Sequence, residues 1–284
     1  TQMQRFASMR PSDNRATDFL SNPNYLPKIL VQGKKFNVQN ADFNSENSDF
    51  GGTVYNGNLY IASGRNDNRK SYGWNNEPFL DIYSLYKNTD GSYQDAQLLN
   101  KDINTKYHEG LVSFSPDGNT MYFSRESYFE KAFEKDSLSK IKYSQLYLFK
   151  ASRIGTDWDN IVGLSLNSKN YSIKNPSVST DGKTLYFASD MPGGFGQFDI
   201  YKAAIKADGS IGTPENLGQK VNTEAQEMFP YISSNNTLYF SSNGHLGLGG
   251  MDVFYTEEID GKTAPIRNIG ITVNNNGEEF AFKI

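Results

Sequence analysis

"NPSVSTDGKTLYFASDMPGGFGQFDIYKA", residues 175–203, decides the fold. A first apolar run ends at a tight Asp181-Gly182 turn, where glycine tolerates the positive φ that a hairpin asks for. In the "TLYFAS" that follows, Leu185 and Phe187 alternate with Tyr186, the two-residue period of a strand. Large side chains on both faces of that strand call for neighbouring sheets on both sides. A glycine-rich loop then leads into a third strand, "DIYKAA", from Asp199.

The same unit returns as "PDGNTMYFSR" from Pro116, "SNNTLYFSS" from Ser234 and, more loosely, "YNGNLYIAS" from Tyr55. Aligning Tyr60, Tyr122, Tyr186 and Tyr239 gives spacings of 62, 64 and 53 residues, the mark of an array of supersecondary units. First strands read as "FGGTVY", "LVSFS", "NPSVS" and "FPYIS", and third strands as "DIYSLY", "QLYLFK", "DIYKAA" and "DVFYTE". A vaguer fourth strand is expected to end in "NKDINTKY", "SLNSKNY", "GQKVNTEAQ" and "GITVNNNGE". Four antiparallel strands per unit, set radially, is the β-propeller answer to exposed sheet edges, so the fold class is all-β.

Residues 1–30 read as helix in two pieces broken at Pro11, with Ser12 or Asp13 capping "NRATDFL". The propeller is expected over 31–284, with blades near 48–107, 108–171, 172–226 and 227–277. "FNVQNADFNSEN", residues 36–47, matches an outer strand with no inner ones before it, and "EEFAFKI", residues 278–284, matches an inner strand with nothing after it. The two read as parts of one further blade of a longer chain, which makes five blades the minimum and leaves room for a sixth.

Composition agrees and narrows the function. Aromatics make up 14% of the 284 residues, and 25 glycines fall mostly in turns, as in a many-stranded β protein. The 28 basic and 32 acidic residues are mixed along the chain, so no basic stripe invites nucleic acid. No apolar run approaches the roughly 18 residues of a spanning helix. Absence of cysteine excludes disulfides and thiolate metal sites.

"SFSPDGNTMYFSR" and "SVSTDGKTLYFASDMPGGFGQFDIYKA" resemble the PD40 repeats of TolB-like, WD40-like propellers, in particular those of the large OmpA-family lipoproteins of Bacteroidetes, the PorE-like proteins of the type IX secretion and gliding motility apparatus. The resemblance covers about residues 36–284, and "FASMRPSDNRA" resembles the end of the tetratricopeptide (TPR) domain that precedes such propellers. It implies a periplasmic, outer-membrane-associated lipoprotein with an OmpA-like peptidoglycan-binding domain outside this chain. It also implies a PorP/SprF-type outer-membrane barrel, or another secretion or motility component, as partner.

Chemistry is thinly marked. His108 and His245 are the two histidines, both in expected loops, with no G-x-S-x-G and no H-x-x-x-H, which argues against an enzyme. Asp81, Asp199 and Asp252 open third strands at matching places. They read either as calcium ligands backed by loop carbonyls or as Asx-type acceptors for their own loops, and no other cofactor is suggested. Loop length is the stronger hint. From the second-strand tyrosine to the matching third-strand aromatic is 15 residues in units three and four, but 23 from Tyr60 to Tyr83 and 25 from Tyr122 to Tyr147. In a propeller these connections share one face. Loop one carries Tyr72, Trp74 and Phe79; loop two carries Tyr128, Phe129 and Phe133, expected along one side of a short helix. They read as anchors for a protein partner or as aromatics folded back on their own blades. The expected function is a non-enzymatic scaffold or binding propeller. The alternatives are the regulatory propeller of a serine hydrolase or peptidase and a glycan-binding propeller, the latter permitted by Trp74 beside Asn75 and Asn76.

Overall fold

The computed structural model describes residues 1–31, 36–138, 140, 142–259 and 262–284. Strands β1 (Asp49–Tyr55), β2 (Asn58–Ser63), β3 (Asp81–Lys87) and β4 (Tyr93–Leu98) make the first blade. The second is β5 (Glu109–Phe114), β6 (Thr120–Glu126), β9 (Leu146–Ile154) and β10 (Asp157–Gly163); a separate hairpin, β7 (Phe133–Lys135) and β8 (Lys142–Ser144), sits in loop two. The third is β11 (Ile173–Val178), β12 (Thr184–Ser189), β13 (Asp199–Ala204) and β14 (Glu215–Asn216). The fourth is β15 (Glu227–Ile232), β16 (Thr237–Ser242) and β17 (Asp252–Ile259), edged by β18 (Lys262–Thr263) and β19 (Arg267–Asn268). Neighbours within each sheet are antiparallel, giving four successive propeller blades.

The two-faced second strand does what its alternation requires. Leu185 and Phe187 enter the cluster between blades two and three, while Tyr186 and Ala188 enter the one between blades three and four. The core therefore lies between sheets rather than at one centre. Inner strands are tied in sequence by one equivalent residue each: Thr53 donates to Val112 O at 2.9 Å, Ser113 accepts from Val178 N at 2.9 Å, and Ser177 accepts from Ile232 N at 3.1 Å. The fourth equivalent, Tyr231, donates to Ile284 O at 2.7 Å. Residues 280–284 thus run beside blade four where a next inner strand would lie, although they form no ladder. Phe280 stacks on Phe229 at 5.1 Å and meets Phe50 edge-on at 6.0 Å, while Lys283 bonds Thr53 and Val112 across the ring.

Residues 36–48 depart from expectation: they are coil and turns, not an outer strand. They still pack at both neighbours, Phe36 on Phe282 and Phe43 on Tyr93. Helices α1 (Gln2–Met9) and α2 (Asn14–Ser21), with the short α3 (Tyr25–Leu30), bury Ala7, Ala16 and Phe19 against each other and Leu246 of blade four. Asp13 caps α2 by accepting from Arg15 N at 3.0 Å.

Candidate partner-binding face

The β2–β3 loop, the β6–β9 loop and the connection 99–108 emerge on one face, because antiparallel strands alternate their ends. They are joined by a continuous aromatic ladder. Tyr72 packs on Phe79 at 5.6 Å, Phe79 on Tyr107 at 5.9 Å, Tyr107 on Tyr128 at 4.9 Å, and Tyr128 on Phe133 at 4.7 Å. Lys142 closes it, its ammonium 4.3 Å from the Phe133 ring. Loop two carries a hairpin, not the expected helix: Phe133 pairs with Ser144 at its base, and Tyr128, ahead of the hairpin, stacks on Phe133. Four of the six aromatic candidates, Tyr72, Phe79, Tyr128 and Phe133, therefore stiffen the loops. The other two face out: Trp74 is 87% exposed, and Phe129 lies 46% exposed over the Arg125 guanidinium.

Inside the rim of loop one, the starts of inner strands enclose a mouth of about 500 Å³ walled by Phe50, Tyr72, Trp74 and Phe229. Each inner strand carries a bulge there, and Asn175 and Phe229 hold φ of +55° and +53° at theirs. Glu126 ends β6 in this mouth, and its carboxylate has neither hydrogen bond nor ion pair among the described residues; burial pushes it up to about 7. Burial draws Lys174 down to about 8, its ammonium 3.7 Å from the Phe198 ring. None of Tyr107, Glu126 and Lys174 is marked by the sequence pattern.

Both histidines pack among aromatic rings and contact the backbone. His108 accepts from Leu80 N at 3.0 Å through Nδ1, is packed by Tyr72 and Phe79, and burial draws it down to about 4. His245 lies 2.8 Å from Val221 O through Nε2 and packs on Phe240 and Phe254.

The three strand-opening aspartates are engaged by protein donors. Asp81 takes a bidentate grip from Arg69 and a bond from Asn66 at 2.7 Å. Asp199 accepts from Phe195 N, Gly196 N and Asn216, and Asp252 Oδ2 accepts from Leu248 N and Gly249 N while its Oδ1 has no hydrogen-bond partner among the described residues, so each carboxylate holds the loop that precedes it.

The segments expected to end the fourth strands are loops past it, and each carries an asparagine that clasps the third strand. Asn104, Asn167, Asn222 and Asn274 bond both the N–H and the C=O of Ile82, Leu148, Ile200 and Val253 respectively. An acid five residues on, at Glu109, Glu227 and Glu279, was the available signal.

No protein-family profile matches the chain, and no curated protein matches it. Solved structures of similar fold include TolB from Acinetobacter baumannii, at 13% identity and a TM-score of 0.40 over 67% of this chain and 38% of that one. An α-L-arabinofuranosidase from Clostridium thermocellum aligns at 17% identity and 0.45 over 79% and 72%. A puromycin-hydrolyzing peptidase from Mycobacterium tuberculosis aligns at 11% and 0.45 over 81% and 31%, so the chain spans under a third of that protein's length. These are likenesses of fold and assign no residue a role.

Proposed function

We propose that this chain is a non-enzymatic binding propeller whose long-loop face docks a protein. The observation that carries the reading is the aromatic ladder. Two enlarged loops are braced into one body by Tyr107, Tyr128 and Phe133, and Trp74 is left 87% exposed on it. A large amphipathic ring held outward by a stiff support costs little entropy on binding and is the usual chemistry of an interface anchor. Resemblance of the repeats directs the choice of compartment and partner: the periplasm, and an outer-membrane barrel of PorP/SprF type, with attachment to peptidoglycan through an OmpA-like domain outside this chain.

The test is co-purification of the native full-length protein from a mild-detergent extract, compared with a Trp74→Ala/Phe129→Ala variant. Recovery of an outer-membrane barrel by the native protein and its loss in a folded variant supports the reading. Equal recovery by both overturns the assigned face, and recovery of none overturns the partner.

A further inference from the structure

We infer that the mouth enclosed by the starts of the inner strands is a socket for a basic side chain, arginine above lysine, presented by the docked protein. This inference rests on the docking reading and adds the chemistry of the partner. Glu126 lines the mouth with a carboxylate that no described residue answers. Glu109 lines it too, fully buried: Oε1 accepts from Thr105 at 2.6 Å and lies 3.4 Å from Arg125 Nε, but Oε2 has no donor. Oδ1 of Asn175 at the same mouth is likewise buried without a donor. Three acceptors thus stand at one mouth without a matched donor, two of them buried, and an unanswered buried acceptor costs free energy until a donor arrives.

Among the described residues the chain's own cations near the mouth do not answer these acceptors. Lys174 rests on Phe198, and Arg125 donates to Asp102 O and Ile103 O at 2.6 and 2.8 Å while its Nε is left without a hydrogen-bond partner. Phe50, Tyr72, Trp74 and Phe229 form apolar walls around the acceptors, and a cation beside aromatic faces is attracted by their quadrupoles. A planar guanidinium can stack on such a wall and still deliver several N–H groups to carboxylate and amide oxygens, whereas an ammonium offers a point charge. Phe229 is held at the mouth in a left-handed conformation that bulky residues seldom adopt, a strain found where surroundings over-determine a site.

Trp74 supplies the readout, because the second tryptophan, Trp158, is buried in the core between blades one and two. The full chain would be titrated with acetyl-Gly-Arg-Gly-amide and with its citrulline isostere while Trp74 emission is followed. A saturable change is expected with the arginine peptide, and binding weaker by roughly tenfold or more with citrulline or in Glu126→Gln. Equal binding of the two peptides, or undiminished arginine binding by Glu126→Gln, overturns the socket, even where the Trp74/Phe129 variant still loses its barrel. A response to an N-acetylglucosamine trimer with none to the arginine peptide also overturns it. Arginine binding that needs Glu126, in a protein that recovers no barrel, upholds the socket and removes only the docking reading.

Discussion

Asn222 holds Ile200 at both ends: its Oδ1 accepts from Ile200 N at 2.8 Å, and its Nδ2 donates to Ile200 O at 3.0 Å. It is 1% exposed, so neither peptide group has water as a substitute. Asn222→Ala leaves the buried Ile200 N–H unmatched, which costs about 1–3 kcal/mol, while Ile200 O keeps the bond from Leu217 N at 3.1 Å. We expect a loss of about 2 kcal/mol in urea unfolding with an unchanged slope against denaturant. A loss below about 1 kcal/mol would show that the loop relaxes to let water in.

The glycine-rich loops belong to the same joint. A Cβ on Gly196 would stand 2.4 Å from both Thr223 O and Ala225 O and 2.9 Å from Glu224 C, all backbone of the loop that carries the Asn222 clasp. Gly249 meets Gly277 O and Asn275 O in the same way one blade on. Gly196→Ala should therefore destabilise by about 2–3 kcal/mol, because backbone cannot step aside as a side chain can. Gly193, at φ +93° with open space around it, should lose only about 1 kcal/mol on the same change, for conformation alone. Thermal unfolding of the pair separates the effects, and a larger loss at Gly193 would mean that the close approach is not rigid.

The parts legible in the sequence were those with local causes. Alternation at Leu185, Tyr186 and Phe187 fixes two buried faces, and Gly118 and Gly182 adopt the positive φ their turns require. Loop lengths could be counted. Loop two was misread because its aromatic spacing suits a helix, while stacking of Tyr128 on Phe133 is satisfied by a hairpin. The mouth was invisible for another reason. Glu126, Lys174 and Phe229 belong to three different blades and meet only when inner strands converge.

That convergence sets a dependence of stability on pH. The Glu126 carboxyl has an ordinary value of 4.5 and is pushed up to about 7 by burial, so the folded protein holds the proton more tightly than the unfolded chain does. The stabilising contribution is fully present below 4.5 and is lost as pH rises through 7. Glutamine has nearly the shape of the protonated acid and never ionises. Glu126→Gln should thus match the wild type at pH 4 and exceed it at pH 8 by about 2 kcal/mol, less than the full shift because Lys174 shares the mouth. His108, held down near 4, and Glu109, pushed up, titrate in both proteins and largely cancel in the difference. Urea unfolding of both proteins at the two pH values checks this, and a constant difference would mean that Glu126 is solvated. A variant more stable than its parent at pH 8 is also one whose lost arginine binding cannot be blamed on misfolding.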